Sequence, residues 1–250
     1  MRAPWRRRAP NAPSGRFGAD GHPLPNWILP RGLDRLYLRG PVRRTIARHF
    51  NRAYYYGMER TLFGRKWLGH TTLKYPTDLW AYQEIVTEIR PEVVLETGTF
   101  KGGSALYFAT LLDALGEGRV ISVDLALADA LPQHPRITYV QGSSIAPEIV
   151  SRVMDEIGAA RPVVVILDSD HARDHVLGEL RAYADLVEPG GYLIVEDTNV
   201  NGNPVLPQFG PGPAEAIELF LAERDDFEPD PAREEMMVTS SPGGFLRRIR

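Results

Sequence analysis

The chain has 250 residues, 43% of them hydrophobic and 24% charged, with 29 Lys and Arg against 32 Asp and Glu for a formal net charge of -3. That length buries a sizeable core in one domain with room for an appendage, and the near balance of charge gives no whole-molecule attraction to nucleic acid. The absence of cysteine excludes disulfides, thiolate nucleophiles and cysteine zinc sites together.

Residues 1 to about 30 are rich in Pro, Gly and Arg and carry no sustained period, which predicts a flexible or draped segment. Positive charge concentrates there and just beyond, at Arg2, Arg6, Arg7, Arg8, Arg16, Arg31, Arg35, Arg39, Arg43, Arg44 and Arg48; a solvated or oligomer-contacting arm is the expected reading. Arg6-Arg7-Arg8 is followed by Asn11-Ala12-Pro13-Ser14-Gly15 where an export signal needs an apolar segment, and no apolar run approaches the roughly 20 residues that span a bilayer. A cytoplasmic location is expected. A helix is expected over Leu33 to about Glu59, with Tyr54-Tyr55-Tyr56 as a packing cluster, then a loop through Trp67-Leu68-Gly69-His70 and Lys74-Tyr75-Pro76. Residues 1–70 are thus read as a basic extension with a helical segment, and 71–250 as the main domain.

Leu79, Tyr82, Ile85, Val86 and Ile89 recur at helical spacing and place a helix over Thr77–Arg90. From Glu92 strands and helices alternate, the pattern of a parallel sheet covered on both faces. The expected strands are Val93–Thr97, Arg119–Asp124, Ile137–Gln141, Val163–Asp168 and Tyr192–Asp197, with helices over Ser104–Leu115, Pro147–Ala160, Arg173–Val187 and Ala214–Arg224. Two short strands, Glu235–Thr239 and Gly244–Ile249, are expected to close the sheet as an antiparallel hairpin. The fold class is therefore α/β, Rossmann-like, with a mostly parallel seven-stranded sheet as in class I methyltransferases.

The first strand runs into Glu96-Thr97-Gly98-Thr99-Phe100-Lys101-Gly102-Gly103-Ser104. Glycines let the backbone turn sharply beside a ligand, and the following helix start offers free amides to an electron-rich group. A dinucleotide fingerprint reads G-x-G-x-x-G; E-x-G-x-x-x-G is instead the spacing expected for S-adenosylmethionine. Glu96, Gly98, Thr99, Lys101, Gly102 and Ser104 are the candidate cofactor residues here. Asp124, at a strand end, is expected to accept the two ribose hydroxyls, and Gly142-Ser143 to hold the adenine edge.

Asp168-Ser169-Asp170-His171 and Glu196-Asp197 end two adjacent apolar strands. Carboxylates brought together there need a proton or a cation between them, and an oxygen-only cluster suits Mg²⁺ or another hard divalent ion rather than zinc. Asp168, Asp170, Glu196 and Asp197 are the candidate ligands, with Asp168 also placed at the cofactor. Asp170 and His171 are both candidates for the base in a methyl transfer, and either is also a candidate metal partner. Glu196 and Asp197 point oppositely in a regular strand, so the chain must bend there for both to act. Asn199–Pro204 and Gln208–Pro213 form a long loop beside this edge, a candidate lid or acceptor wall.

Five segments, Asp78-Leu79-Trp80-Ala81-Tyr82-Gln83-Glu84-Ile85, Glu96 to Ala105, Leu167 to His171, Val195-Glu196-Asp197-Thr198-Asn199 and Gly210-Pro211-Gly212-Pro213, together resemble the cephalosporin hydroxylase and rhamnosyl O-methyltransferase family. The resemblance runs from about Trp67 to the C-terminus. It implies S-adenosylmethionine-dependent, Mg²⁺-dependent O-methylation of a sugar or natural-product hydroxyl, and a homo-oligomer in which N-terminal segments meet neighbouring subunits. First or second Asp of the Asp-x-Asp pair as metal ligand stays open. A nicotinamide-dependent oxidoreductase and a non-catalytic partner of a hydroxylase are the rival readings.

Overall fold

The computed structural model describes residues 40–250, so the arginine-rich start of the chain and the first part of the expected Leu33–Glu59 helix lie outside the described residues. One compact unit covers Ala47–Arg250. The described helix α1 spans Gly40–Tyr56, and a short α2, Met58–Thr61, follows it. Across the expected loop segment Trp67–His70 runs a small antiparallel hairpin, β1 (Lys66–Trp67) with β2 (His70–Thr71). Helix α3, Pro76–Ile89, starts with proline at its first position, where no backbone N–H is needed.

The main sheet has seven strands in the order β5-β4-β3-β6-β7-β9-β8. Strands β3 (Val93–Thr97), β4 (Arg119–Asp124), β5 (Ile137–Gln141), β6 (Val163–Leu167) and β7 (Tyr192–Val195) run parallel. Strands β8 (Phe227–Pro229) and β9 (Phe245–Arg248) are antiparallel additions. Side chains of β3 and β6 are buried along their whole length, as a sheet covered on both faces requires. Val93 and Leu95 enter the core shared with α5 (Pro147–Ile157), α6 (Arg173–Tyr183) and α7 (Pro213–Glu223), while Val94 enters the opposite core with α3 and α4 (Gly103–Leu115). Strand order reverses between β3 and β6, which opens the carboxyl-end crevice where α/β sheets take ligands.

Several boundaries differ from expectation, among them the Pro147–Ala160 helix, which ends at Ile157. Strands β6 and β7 end before Asp168 and Glu196, leaving those carboxylates in loops. The Arg173–Val187 helix ends at Tyr183 and tightens into a 3-10 turn over Ala184–Leu186. The strand expected at Glu235–Thr239 lies instead at Phe227–Pro229. Met237 takes a left-handed φ of 73° that interrupts extended pairing, and side chains capture the segment's carbonyls: Thr77 Oγ1 donates to Val238 O and Asn51 Nδ2 to Thr239 O. Among the described residues no helix is long and apolar enough to cross a membrane.

Candidate active site

At the carboxyl ends of the parallel strands lies a cavity of about 580 Å³. Of the residues expected from sequence, Gly98, Asp124, Gly142, Ser143, Asp168, Asp170, His171 and Asp197 line it. Leu73, Phe100, Leu125, Ser144, Ser169 and His175 complete much of its wall. Asp124 is held by Phe100 N on Oδ2 at 2.9 Å and by Ala126 N on Oδ1 at 3.1 Å. Each carboxylate oxygen can accept more than one hydrogen bond, so this clamp orients the group and leaves acceptor capacity for a ligand.

The other expected cofactor residues stand behind or beside the wall. Glu96 is fully buried beneath the turn, where its Oε2 accepts from Ser122 Oγ at 2.8 Å and its Oε1 has no partner. Burial pushes its carboxyl up to about 7 against the pull of Lys74 and of hydroxyls including Ser122. Thr99 is buried on Ser122, Oγ1 to Oγ 2.7 Å, and Ser104 is buried at the start of α4. Lys101 directs Nζ over the Phe100 ring, 5.7 Å from its centroid. Gly102 caps α4 with Pro132 packed against it. Gly98 has the sharpest requirement: at φ 89° a Cβ there would lie 1.8 Å from the Asp168 carbonyl oxygen. The glycine therefore lets the β3 turn touch the end of β6, and the two halves of the site share that contact.

The acidic edge contains a side chain that the sequence reading assigned only to a loop. Lys74 Nζ lies 2.5 Å from Asp168 Oδ2 and 2.5 Å from Glu196 Oε1, with all three residues on adjoining segments and the lysine side chain 3% exposed. Burial alone would lower the ammonium's pKa, but the charges of Asp168, Glu196 and Glu96 hold it above its ordinary value. The cation required between the carboxylates is, for this pair, supplied by the chain itself. The only trace of it in the sequence is a single charge between Leu73 and Tyr75, directly before Pro76. Gly103 makes its placement possible, since a Cβ there would lie 2.2 Å from the Thr71 carbonyl oxygen and crowd the segment leading to Lys74.

Just beyond Val195 the chain bends, with Asp197 at a left-handed φ of 53°. Glu196 turns inward to Lys74, and Asp197 Oδ2 meets His171 Nε2 at 3.1 Å. Asp168, His171 and Asp197 each present one ligand atom, all within 4.8 Å of one another. Burial raises the Asp197 carboxyl, His171 opposes the shift and Asp168 adds to it. Burial likewise drives Glu196 well above the usual carboxylate range, with Asp168 adding and Lys74 opposing. Asp170 stands apart from this group: its Oδ1 accepts from Ala172 N at 2.8 Å and turns the chain into α6. The four candidate carboxylates thus have different partners, with Asp168 and Glu196 on the lysine, Asp170 on a backbone amide and Asp197 on the His171 imidazole.

The family model for Rhamnosyl O-methyltransferase/CmcI matches residues 60–249. The chain belongs to the rhamnosyl O-methyltransferase/CmcI family. Among relatives in that family, a rhamnosyl O-methyltransferase of Mycobacterium tuberculosis is 40% identical over 212 residues, 81% of this chain and 85% of that protein. Another, of Mycobacterium leprae, is 42% identical over 190 residues, 73% and 82% of the two chains. A solved CmcI structure with Mg and SAM superposes at a TM-score of 0.59 with 24% identity, covering 74% of this chain and 77% of that one. An apo CmcI structure gives 0.58 and 25%, covering 74% and 76%. The fold is the Rossmann-like fold of these CmcI methyltransferases.

Proposed function

We propose that the protein transfers a methyl group from S-adenosylmethionine to a hydroxyl of a sugar or small natural product, with Mg²⁺ or a similar hard divalent ion at the acidic edge. The observation that carries this reading is the meeting of two subsites in one crevice. A nucleoside-sized cavity holds a clamped Asp124 at one end, and Asp168, His171 and Asp197 present converging ligand atoms at the other. The rhamnosyl O-methyltransferase relatives make a rhamnosyl glycoside the first acceptor to test.

The donor set fits such an ion, because Lys74 balances only part of the negative charge and burial together with Asp168 still disfavours the Asp197 anion. When bound, the cation lowers the cost of ionising an acceptor hydroxyl and favours one orientation of it. Asp168 and Asp197 are the ligands in this reading. His171 takes the acceptor's proton, with Asp197 orienting its ring, and Asp124 holds the ribose hydroxyls of the donor. The bare Gly98 lets the donor lie against the turn. Asp170 and Glu196, the other candidate ligands, serve in this reading to turn the chain into α6 and to hold Lys74.

Calorimetric titration with S-adenosylmethionine and with NAD tests the donor. Binding of the first alone is the expected result, and binding of NAD alone would sink the reading in favour of an oxidoreductase. A screen of methyl acceptors with and without Mg²⁺ then tests the rest of the assignment.

A further inference from the structure

One cavity wall is formed by Ser144 after β5, Ser169 after β6 and His175 in the first turn of α6. Behind them Glu179, one turn further along α6, is completely buried. A carboxylate is rarely buried to that extent unless hydrogen bonds replace its hydration. Its Oε1 accepts from Ser144 Oγ at 2.5 Å and from Ser169 Oγ at 2.7 Å, whereas Oε2 has no partner. The backbone of Ser144 is pinned as well, its carbonyl accepting from Tyr183 OH at 2.6 Å.

A serine hydroxyl has one proton to donate. With both protons committed to Glu179, the Nε2 of His175, 3.1 Å from each serine oxygen, must carry a hydrogen and donate to them. The Glu179 carboxylate, its Oε1 3.6 Å from Nε2, raises the pKa of His175 while burial opposes the rise; the neutral Nε2–H ring and the cation both present the same donor there. What Ser144 and Ser169 have left for the cavity is lone pairs.

We propose that Glu179, as a positioning residue, makes this wall an acceptor-only surface that selects a nucleobase bearing an exocyclic amino group, adenine over its 6-oxo analogue. The two hydrogens of an amino group match two serine oxygens. A carbonyl in the same place sets lone pair against lone pair and leaves both sides unsatisfied, the kind of mismatch that gives polar pockets their selectivity. The inference rests on the donor reading above, because it takes this cavity as the nucleoside site with Asp124 on the ribose.

The test is calorimetric binding of S-adenosylhomocysteine and S-inosylhomocysteine to the full chain. The wild-type protein is expected to bind the adenosyl compound at least about tenfold more tightly. Glu179→Gln keeps the shape but introduces an NH₂ donor, which frees a serine proton to turn toward the cavity and brings the two affinities together. Ser169→Ala removes one acceptor, leaves Glu179 the bond from Ser144, and is expected to narrow the ratio too. Equal affinities in the wild-type protein overturn the proposal and leave the donor reading standing; binding of neither compound overturns both. An unchanged ratio in folded Glu179→Gln, or in Ser169→Ala should the first variant not fold, also overturns it.

Discussion

Lys74 ties the acidic edge together at the residue scale. Its ammonium bridges Asp168 and Glu196 inside the protein, and removing one partner of such a group strands the others without compensation. Lys74→Met is expected to lose about 3–5 kcal/mol of stability at neutral pH, with a smaller deficit at acidic pH, where Glu196, its carboxyl raised by burial, takes up a proton; urea denaturation at both pH values checks this. Glu96 carries a pH signature of its own. Its folded carboxyl sits at about 7, above the ordinary 4.5, so the folded state binds the extra proton between those values and this contribution to stability falls as pH rises through that window. Glu96→Gln is expected to flatten that fall, so that its melting temperature relative to wild type increases from pH 4.5 to pH 7; a parallel shift of both curves would contradict the assignment. The carboxylates themselves were legible because each follows an apolar strand. Lys74 was not, because a lone lysine in a loop looks solvated until the fold seals the segment against the Gly102-Gly103 turn.

At the scale of elements, the turn after β3 and the end of β6 behave as one joint. A Cβ on Gly98 would overlap the Asp168 carbonyl, so Gly98→Ala is expected to move the strand ends apart, lowering thermal stability and S-adenosylhomocysteine affinity together. Circular-dichroism melts and calorimetry on the same variant check that the two losses coincide. Helix α1 is joined to the loops at this edge through Asn51, which donates to Thr239 O at 2.6 Å and accepts from Asn199 Nδ2 at 3.4 Å. Asn51→Ala leaves buried groups unpaired and is expected to destabilise the protein by about 1–3 kcal/mol, with faster proteolysis of α1 as the readout. Strands β3, β4 and β5 have the boundaries expected from sequence because alternating turn residues and apolar runs delimit them sharply. Strand β8 lies elsewhere than expected for the opposite reason: Met236-Met237-Val238 is apolar enough to read as a strand, but the backbone of Val238, Thr239 and Ser240 is bound by Thr77, Asn51 and Asp78 from other elements, and a local pattern carries no record of those partners.

Across the whole molecule, the parallel strands place Asp124, the proposed ribose acid, on β4 and the Asp168, His171 and Asp197 group beyond β6 and β7, on either side of the β3 turn. One sheet edge thereby sets the proposed donor cavity beside the proposed acceptor edge, and order along the sheet, rather than any single motif, makes the two meet. The E-x-G-x-x-x-G spacing and the strand-end acids conveyed that plan, while the division of the acids between Lys74, His171 and a backbone amide required the fold. The most direct test is transfer of a labelled methyl group from S-adenosylmethionine to a rhamnosyl glycoside by the wild-type protein, with Mg²⁺ present and after chelation. The account predicts label on a sugar hydroxyl with Mg²⁺, its loss on chelation and its return when the ion is restored. Undiminished transfer after chelation would contradict it.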